Sequence, residues 1–371
     1  MSISTKEMII ERQKANIVKR SSTSSEYDFT FDHPSLQIKR ELVEQAVEAL
    51  KKGETHYVDV PGVMALRKII ADTLQTTGLT SISAANVLVT TGIHESRFLA
   101  IQVFSALLGG IAVPSSCDPN VHQILKVRET RSLKTATNRK NFQTLPDEVL
   151  RAVQNGYKLV YFENPVRLSG KLLENGQFEE ICSILERYDA YAIIDIGFLP
   201  WAEIPDHFYS ALTNRIQRFV LIGETFPGIG MKGLNTAFIT AKEDWVTLLQ
   251  VQKQVLSICT SAPTQYASIM AGKLYAEKYS DLFETLKSQK NALLSALADA
   301  RIAAIPGEAA NVAAFFDPEE KIYRAFVESG IDLLPGNIFN AKGVTRISIS
   351  LDDQKNKKII SFLSKFEKQE K

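Results

Sequence analysis

A chain of 371 residues is long enough to divide into two closely packed lobes, each around its own core. Its 43 basic and 42 acidic residues nearly cancel, so it carries no bulk field favouring nucleic acid or an anionic membrane as partner. The longest apolar runs are strand-sized, which excludes a bilayer-spanning helix from the expectation.

The opening stretch MSISTKEMIIERQKANIVKR is charged throughout and has no signal-peptide core. Cys117, Cys182 and Cys259 are few and scattered, as suits reduced thiols, and a cytoplasmic address is expected. SSTSSEYD (21–28) reads as a loop or flexible arm after a first helix. ELVEQAVEALKKG (41–53) has helical spacing and stops on Gly53, and 62–78 repeats the pattern. NVLVTTG (86–92) is a predicted strand and HESRFLAIQVFSALLGG (94–110) a predicted helix. IAVPS (111–115), KLVYFENP (158–165), YAIIDIG (191–197) and RFVLIG (218–223) are apolar, β-branched runs bounded by turn residues, with helical stretches such as 178–189 between them. This alternation predicts an α/β fold with a mostly parallel sheet covered on both faces. Long helices are expected over 244–258 and 265–300, then a small α/β segment containing NVAAFFD, KIYRAFVESGIDLLPG and TRISISL, and a charged last helix. The domain reading is an arm and part of a small domain over 1–50, a large domain over 51–285, and the rest of the small domain over 286–371.

GIGMKG, Gly228 to Gly233, spells a dinucleotide-binding fingerprint, but such a loop must open a helix whose N-terminus holds the phosphates. LNTAFIT follows instead and reads as a strand, so the nucleotide reading lacks its mechanism. His33, His56, His94, His122 and His207 show no i, i+4 pair, and with scattered cysteines no metal site is expected.

Six short segments occur in a recognisable order. Tyr57, Gly62, Leu66 and Arg67 form Y-x4-G followed by LR, and VTTGIHES, NPVRLSG (Asn164 to Gly170) and DIGF (Asp195 to Phe198) come next. FPGIGMKGLN (Phe226 to Asn235) and PGNIFNAKGVTRISISL complete the series. From about Asp28 to the C-terminus the chain thereby resembles the class I/II aminotransferase family, pyridoxal-phosphate (PLP) enzymes of fold type I. The resemblance implies a large domain with a mostly parallel sheet, a smaller α/β domain from both chain ends, and a homodimer.

The same resemblance assigns site positions. Asp195 falls where the family pairs a carboxylate with the pyridine nitrogen, and Arg346 where it binds the substrate carboxylate. The amides of Gly92, Ile93 and His94 fall where a phosphate is cradled, Tyr57 where it is reached from the neighbouring subunit, and Ser261 near another cross-subunit phosphate contact. Pro227 occupies the Schiff-base lysine position, and proline can neither anchor PLP nor shuttle its proton. Asn235 replaces the arginine that grips the phosphate, a charge-assisted contact worth roughly 1.5–3 kcal/mol. Arg167 and Phe198 replace the asparagine and tyrosine that bind the phenolic oxygen, and Asp118 lies near the position of the stacking aromatic. Arg167 is open to three readings: a pair with Asp195 across the space of the ring, a solvent-facing side chain, or a contact to a second acidic group of the ligand.

These assignments predict weakened or absent PLP and a pocket for a small amino acid or keto acid held by Arg346. One alternative is a working PLP aminotransferase that uses Lys232, reached by a local gap, or another lysine. A second alternative is a non-catalytic structural or regulatory homodimer.

Overall fold

Apolar residues fill nearly every position of the central strands up to their carboxyl ends, because helices cover both faces of the sheet. The structure, a computed structural model, describes residues 27–32, 34, 38–198, 202, 208–226, 232–234, 236–316 and 321–370, without the side chains of 232, 275–280 and 366–370. The expected first helix, His33, His207, Pro227, Gly228, Gly230 and Asn235 lie outside the described residues.

The chain enters through β1 (Tyr27–Asp28), α1 (Arg40–Lys51), α2 (Met64–Thr76), β2 (Val87–Thr90) and α3 (Gly92–Leu107). It continues with β3 (Ile111–Pro114), α4 (Pro119–Val127), β4 (Ser132–Thr135), α5 (Pro146–Gln154), β5 (Leu159–Glu163) and α6 (Asn175–Arg187). Then come β6 (Tyr191–Asp195), α7 (Ser210–Thr213), β7 (Phe219–Glu224), β8 (Ala237–Thr240), α8 (Glu243–Leu256) and α9 (Ala262–Asp299). The seven-stranded sheet runs β2-β8-β7-β6-β5-β3-β4 and is parallel except at β8, which is antiparallel to both neighbours. Alternate residues of β5, β6 and β7 serve different cores. Val160, Phe162, Ile194 and Leu221 pack on one face, and Leu159, Tyr161, Ile193 and Val220 on the other.

The remaining strands are β9 (Ala304–Ile305), β10 (Asn311–Ala314), β11 (Ile331–Asp332), β12 (Leu334–Pro335) and β13 (Thr345–Ser348), with α10 (Lys321–Glu328) and α11 (Asp353–Glu370). They build a second, antiparallel sheet in the order β12-β13-β10-β9, while β1 pairs with β11. α9 joins the cores: Ala267 and Ala271 pack under the large sheet, and Leu286, Leu293 and Leu297 pack with the second sheet. The boundary read at residue 285 falls inside this one helix.

Most expected elements lie where their patterns placed them, with ends displaced by a few residues. The helix expected over 94–110 begins at Gly92, and the residue after Gly233 leads toward strand β8 rather than a long helix. α4, β4 and α5 were not singled out in the sequence. β4, SLKT, is one of the two edge strands and is exposed at Ser132 and Lys134, so it lacks the apolar signature of its neighbours.

The loop after β5 is tied by Val166 N donating to Lys171 O at 3.0 Å and Gly170 N to Val166 O at 2.7 Å. Gly170 has φ +70°, and a Cβ there would lie 2.7 Å from Asn311 Oδ1 on β10. Gly170→Ala is expected to lower the unfolding free energy by roughly 1–3 kcal/mol in urea melts, through backbone strain and overpacking. Gly176→Ala, on the open surface of α6 with nothing within 4 Å, leaves stability unchanged or raises it by up to about 1 kcal/mol. Equal effects of the two substitutions would contradict this account of the loop.

Candidate functional site

Asp195 ends β6 and Glu163 ends the adjacent β5 in matched register, so two carboxylates emerge side by side at the carboxyl edge of the sheet. Asp118 caps α4 directly after β3, accepting from Asn120 N at 2.8 Å. Three acidic groups therefore converge where open α/β sheets bind ligands. Buried acids at such spacing need cations or protons.

Arg97 supplies the first cation. It lies on the face of α3 shared by Ile93, Ala100, Ile101 and Phe104, all buried, and is itself buried. Its Nε donates to Asp195 Oδ2 at 2.8 Å, its Nη2 lies 2.7 Å from the same oxygen, and its Nη1 lies 2.9 Å from Asp118 Oδ2. Tyr161 Oη also donates to Asp195 Oδ2, at 2.9 Å, and Gly197 N donates to Oδ1 at 2.9 Å. Although burial alone would raise it, the Asp195 carboxyl is held below its ordinary range by Arg97 and Arg167.

Arg167 supplies the second cation. Its backbone N donates to Glu163 Oε2 at 2.9 Å, which aims the side chain inward. The guanidinium lies 4.9 Å over the Phe198 ring and so close to Gly197 that any Cβ there would collide with Nη2. Its distances are 3.6 Å to Asp118, 3.7 Å to Asp195 and 3.5 Å to Asp32. Asp195 and Arg167 thus face each other at long range, while the direct partner of Asp195 is Arg97. The solvent-facing reading of Arg167 is corrected: its side chain is 2% exposed.

Among the described residues, no guanidinium lies within ion-pair distance of Glu163, which accepts instead from the backbone amides of Asp118 and Arg167. Burial, with Asp195 and Asp118 nearby, pushes it up to about 7. Burial, Glu163 and Asp118 likewise raise the Cys117 thiol well above its ordinary value. It is therefore not a reactive thiolate, although Sγ is 3.5 Å from His122 Nε2.

Arg346 on β13 is buried on the other side of Arg167. Nη1 lies 2.7 Å from Asp32 Oδ1, and Nη2 donates to the carbonyls of Thr30 at 3.0 Å and Phe31 at 3.2 Å. Gly92, Ile93 and His94 open α3, where Thr91 provides no side-chain cap. The Glu95 carboxylate accepts from Thr91 N and from the buried Lys253 Nζ at 2.9 and 3.0 Å. An anionic group of the chain itself therefore already lies at this helix N-terminus. Tyr57 is 77% exposed, and Ser261 is exposed before α9. Lys232 opens a single turn of 3-10 helix, and its side chain lies outside the described residues, as do Pro227 and Asn235.

The structure thus brings together Asp195, Arg167, Phe198, Asp118 and Arg346. Arg97, Glu163, Tyr161, Glu95, Lys253 and Asp32 were missed. Arg97 had a signal, a lone charge on an otherwise apolar helix face, and Glu163 another, an acid ending an apolar strand. Asp32 had none. Among the described residues, no cluster of three acid, histidine or cysteine groups is arranged to hold a metal, and no helix is long and apolar enough to cross a membrane.

Glu163 gives a signed pH dependence. Its folded value of about 7 exceeds the ordinary 4.5, so the folded state binds more protons between those pH values. Stability from this group is present below about pH 4.5 and is lost as pH rises through 7, a change on the order of 3 kcal/mol. Glu163→Gln removes that loss, so urea melts should show its stability relative to the unsubstituted chain improving by roughly this amount from pH 4.5 to 8. Parallel stability curves for the two proteins would contradict the assignment.

The model of the family "Aminotransferase class I and II" matches residues 23–363. The aspartate aminotransferase of Thermotoga maritima is 24% identical over 360 residues, covering 93% of this chain and 92% of that one. A double mutant of the Thermus thermophilus aspartate aminotransferase superposes with TM-score 0.82 at 18% identity, covering 99% of this chain and 97% of that one. The Thermus thermophilus enzyme with maleate gives TM-score 0.81 at 19% identity, with the same coverage of both chains. The fold is therefore the α/β fold type I of aminotransferases, with a seven-strand, mostly parallel sheet and a small extra sheet.

Proposed function

From the premise that this chain belongs to the class I and II aminotransferase family, we propose that its pocket binds a small carboxylate, an amino or keto acid, through Arg346 and Arg167. Ordinary Schiff-base transamination is lost or altered in this reading. Family members use PLP, and Asp195 holds the position that the resemblance gives to the pyridine-nitrogen partner. The observation that carries the reading is the state of that carboxylate. Arg97 and Tyr161 donate to one oxygen and Gly197 to the other, which leaves the second oxygen a single further acceptor site, with Arg167 Nη2 3.7 Å from it. Arg167, lying against Gly197 and Phe198, crowds the approach to that site, which supports a reading in which the cofactor ring is disfavoured.

The chemistry left to the chain is binding and orientation. Arg346 presents its guanidinium from a strand, and Arg167 presents a second one from a tied loop, so both are held before a ligand arrives. A dicarboxylate, maleate, accompanies the Thermus enzyme of the same fold, which makes it a reasonable probe.

A second reading, a PLP-dependent aminotransferase using Lys232 or another lysine, is favoured by the full-length likeness to aspartate aminotransferases. PLP-dependent transfer of the amino group of aspartate to a keto acid would establish it. In either case we propose a homodimer, supported by Leu248, Val251 and Val255, which expose one apolar row of α8. Sedimentation at the mass of one chain would contradict the dimer.

Titration calorimetry with maleate and no PLP is expected to show binding, weakened about ten- to a hundredfold in Arg346→Ala by loss of a charge-assisted contact. Absence of binding to the unsubstituted chain, or equal binding to the variant, contradicts the proposal.

A further inference from the structure

We propose that Asp32 is the resident occupant of the Arg346–Arg167 clamp, and that a free carboxylate binds by replacing it. This rests on the carboxylate-binding reading above and adds how that site is controlled. The two Asp32 oxygens are divided between the two arginines, Oδ1 lying 2.7 Å from Arg346 Nη1 and Oδ2 3.5 Å from Arg167 Nη1. A single carboxylate thus bridges two guanidiniums, the arrangement expected of a bound acid.

Burial is unequal across these contacts. The Arg346 and Arg167 side chains are 1% and 2% exposed, whereas that of Asp32 is 47% exposed. The cations therefore belong to the interior and the anion to its mouth. Among the described residues, the other hydrogen-bond partners of Arg346 are the carbonyls of Thr30, Phe31 and Arg167, and its buried Nε has none. Without Asp32, Arg346 keeps a buried charge that faces, among the described residues, carbonyl oxygens and the Phe339 ring but no carboxylate, and such a site attracts an anion.

Displacement does not require the segment to unravel. Phe29 N donates to Asp332 O at 2.9 Å, Ser348 N to Phe29 O at 3.2 Å, and Thr30 N to Asp28 Oδ1 at 2.8 Å. The backbone through Phe31 remains attached to β11 and β13 while the short Asp32 side chain rotates away. A tethered group competes at a millimolar or higher effective concentration, so it lowers the apparent affinity of a free carboxylate without altering the clamp.

The test is maleate binding, without PLP, to the full chain and to Asp32→Asn, which removes the charge and preserves the shape. Asp32→Asn is expected to bind maleate about tenfold tighter or more, and Arg346→Ala in the Asp32→Asn background to abolish the gain. If Asp32→Asn binds no tighter while Arg346→Ala still weakens binding, the inference is overturned and the carboxylate-binding reading survives. If neither protein binds maleate, both fall. Loss of the pair lowers stability, so melting temperature provides a second readout. Saturating maleate should raise it more in Asp32→Asn than in the unsubstituted chain, and a smaller rise overturns the inference.

Discussion

Burying the guanidiniums of Arg97 and Arg167 at the carboxyl edge of the central sheet is the constraint on which the site depends. Each would cost several kcal/mol in that position without a counter-charge. The ionised counter-charges are Asp195, ending β6, and Asp118, at the β3–α4 junction, with Glu163 ending the intervening strand β5. Gly197 permits Arg167 to lie on the backbone of the neighbouring turn. Tyr161 reaches Asp195 from β5, whose alternate residue Phe162 faces the opposite core. Packing and electrostatics are coupled here: moving one strand end by a residue would separate an acid from its cation.

The arrangement also sorts the acids. Asp195 lies between a hydroxyl, an amide and a guanidinium and remains ionised. Glu163, with amides as its nearest donors and two carboxylates beside it, holds its proton to about pH 7. Three positions to which the family resemblance assigns anchoring roles are thus engaged by the chain's own groups: Asp195 by Arg97, the α3 N-terminus by Glu95, and Arg346 by Asp32.

The architecture was legible because apolar strands and amphipathic helices write the α/β pattern directly into residue spacing. Strands β5, β6 and β7 and the long α9 are plain in YFENP, YAIID, FVLIG and the run after Ser261. β4 was not, because Ser132 and Lys134 face solvent and break its apolar run. Asp195 and Arg346 stood out in their ordered motifs, and both are buried beside opposite charges. Arg97 is a charge among apolar neighbours, and its meaning depends on two acids 21 and 98 positions later in the chain, which no local pattern displays. Asp32 reaches Arg346 across 314 positions, and nothing near it distinguishes it from a solvated turn residue. Long-range pairing of charges is a property of the fold, whereas alternation and capping belong to short stretches of chain.

The most direct test of the claim that an ion network takes the place of the cofactor ring is the visible spectrum of the purified protein mixed with PLP. It is recorded before and after borohydride reduction, with peptide mapping of any fixed label. The account predicts no new protein-bound absorption band and no lysine labelled above the level of exposed surface residues. A stable band fixed by borohydride on Lys232, or on any single lysine, and lost when that lysine is replaced, would contradict it and make this chain a working PLP enzyme.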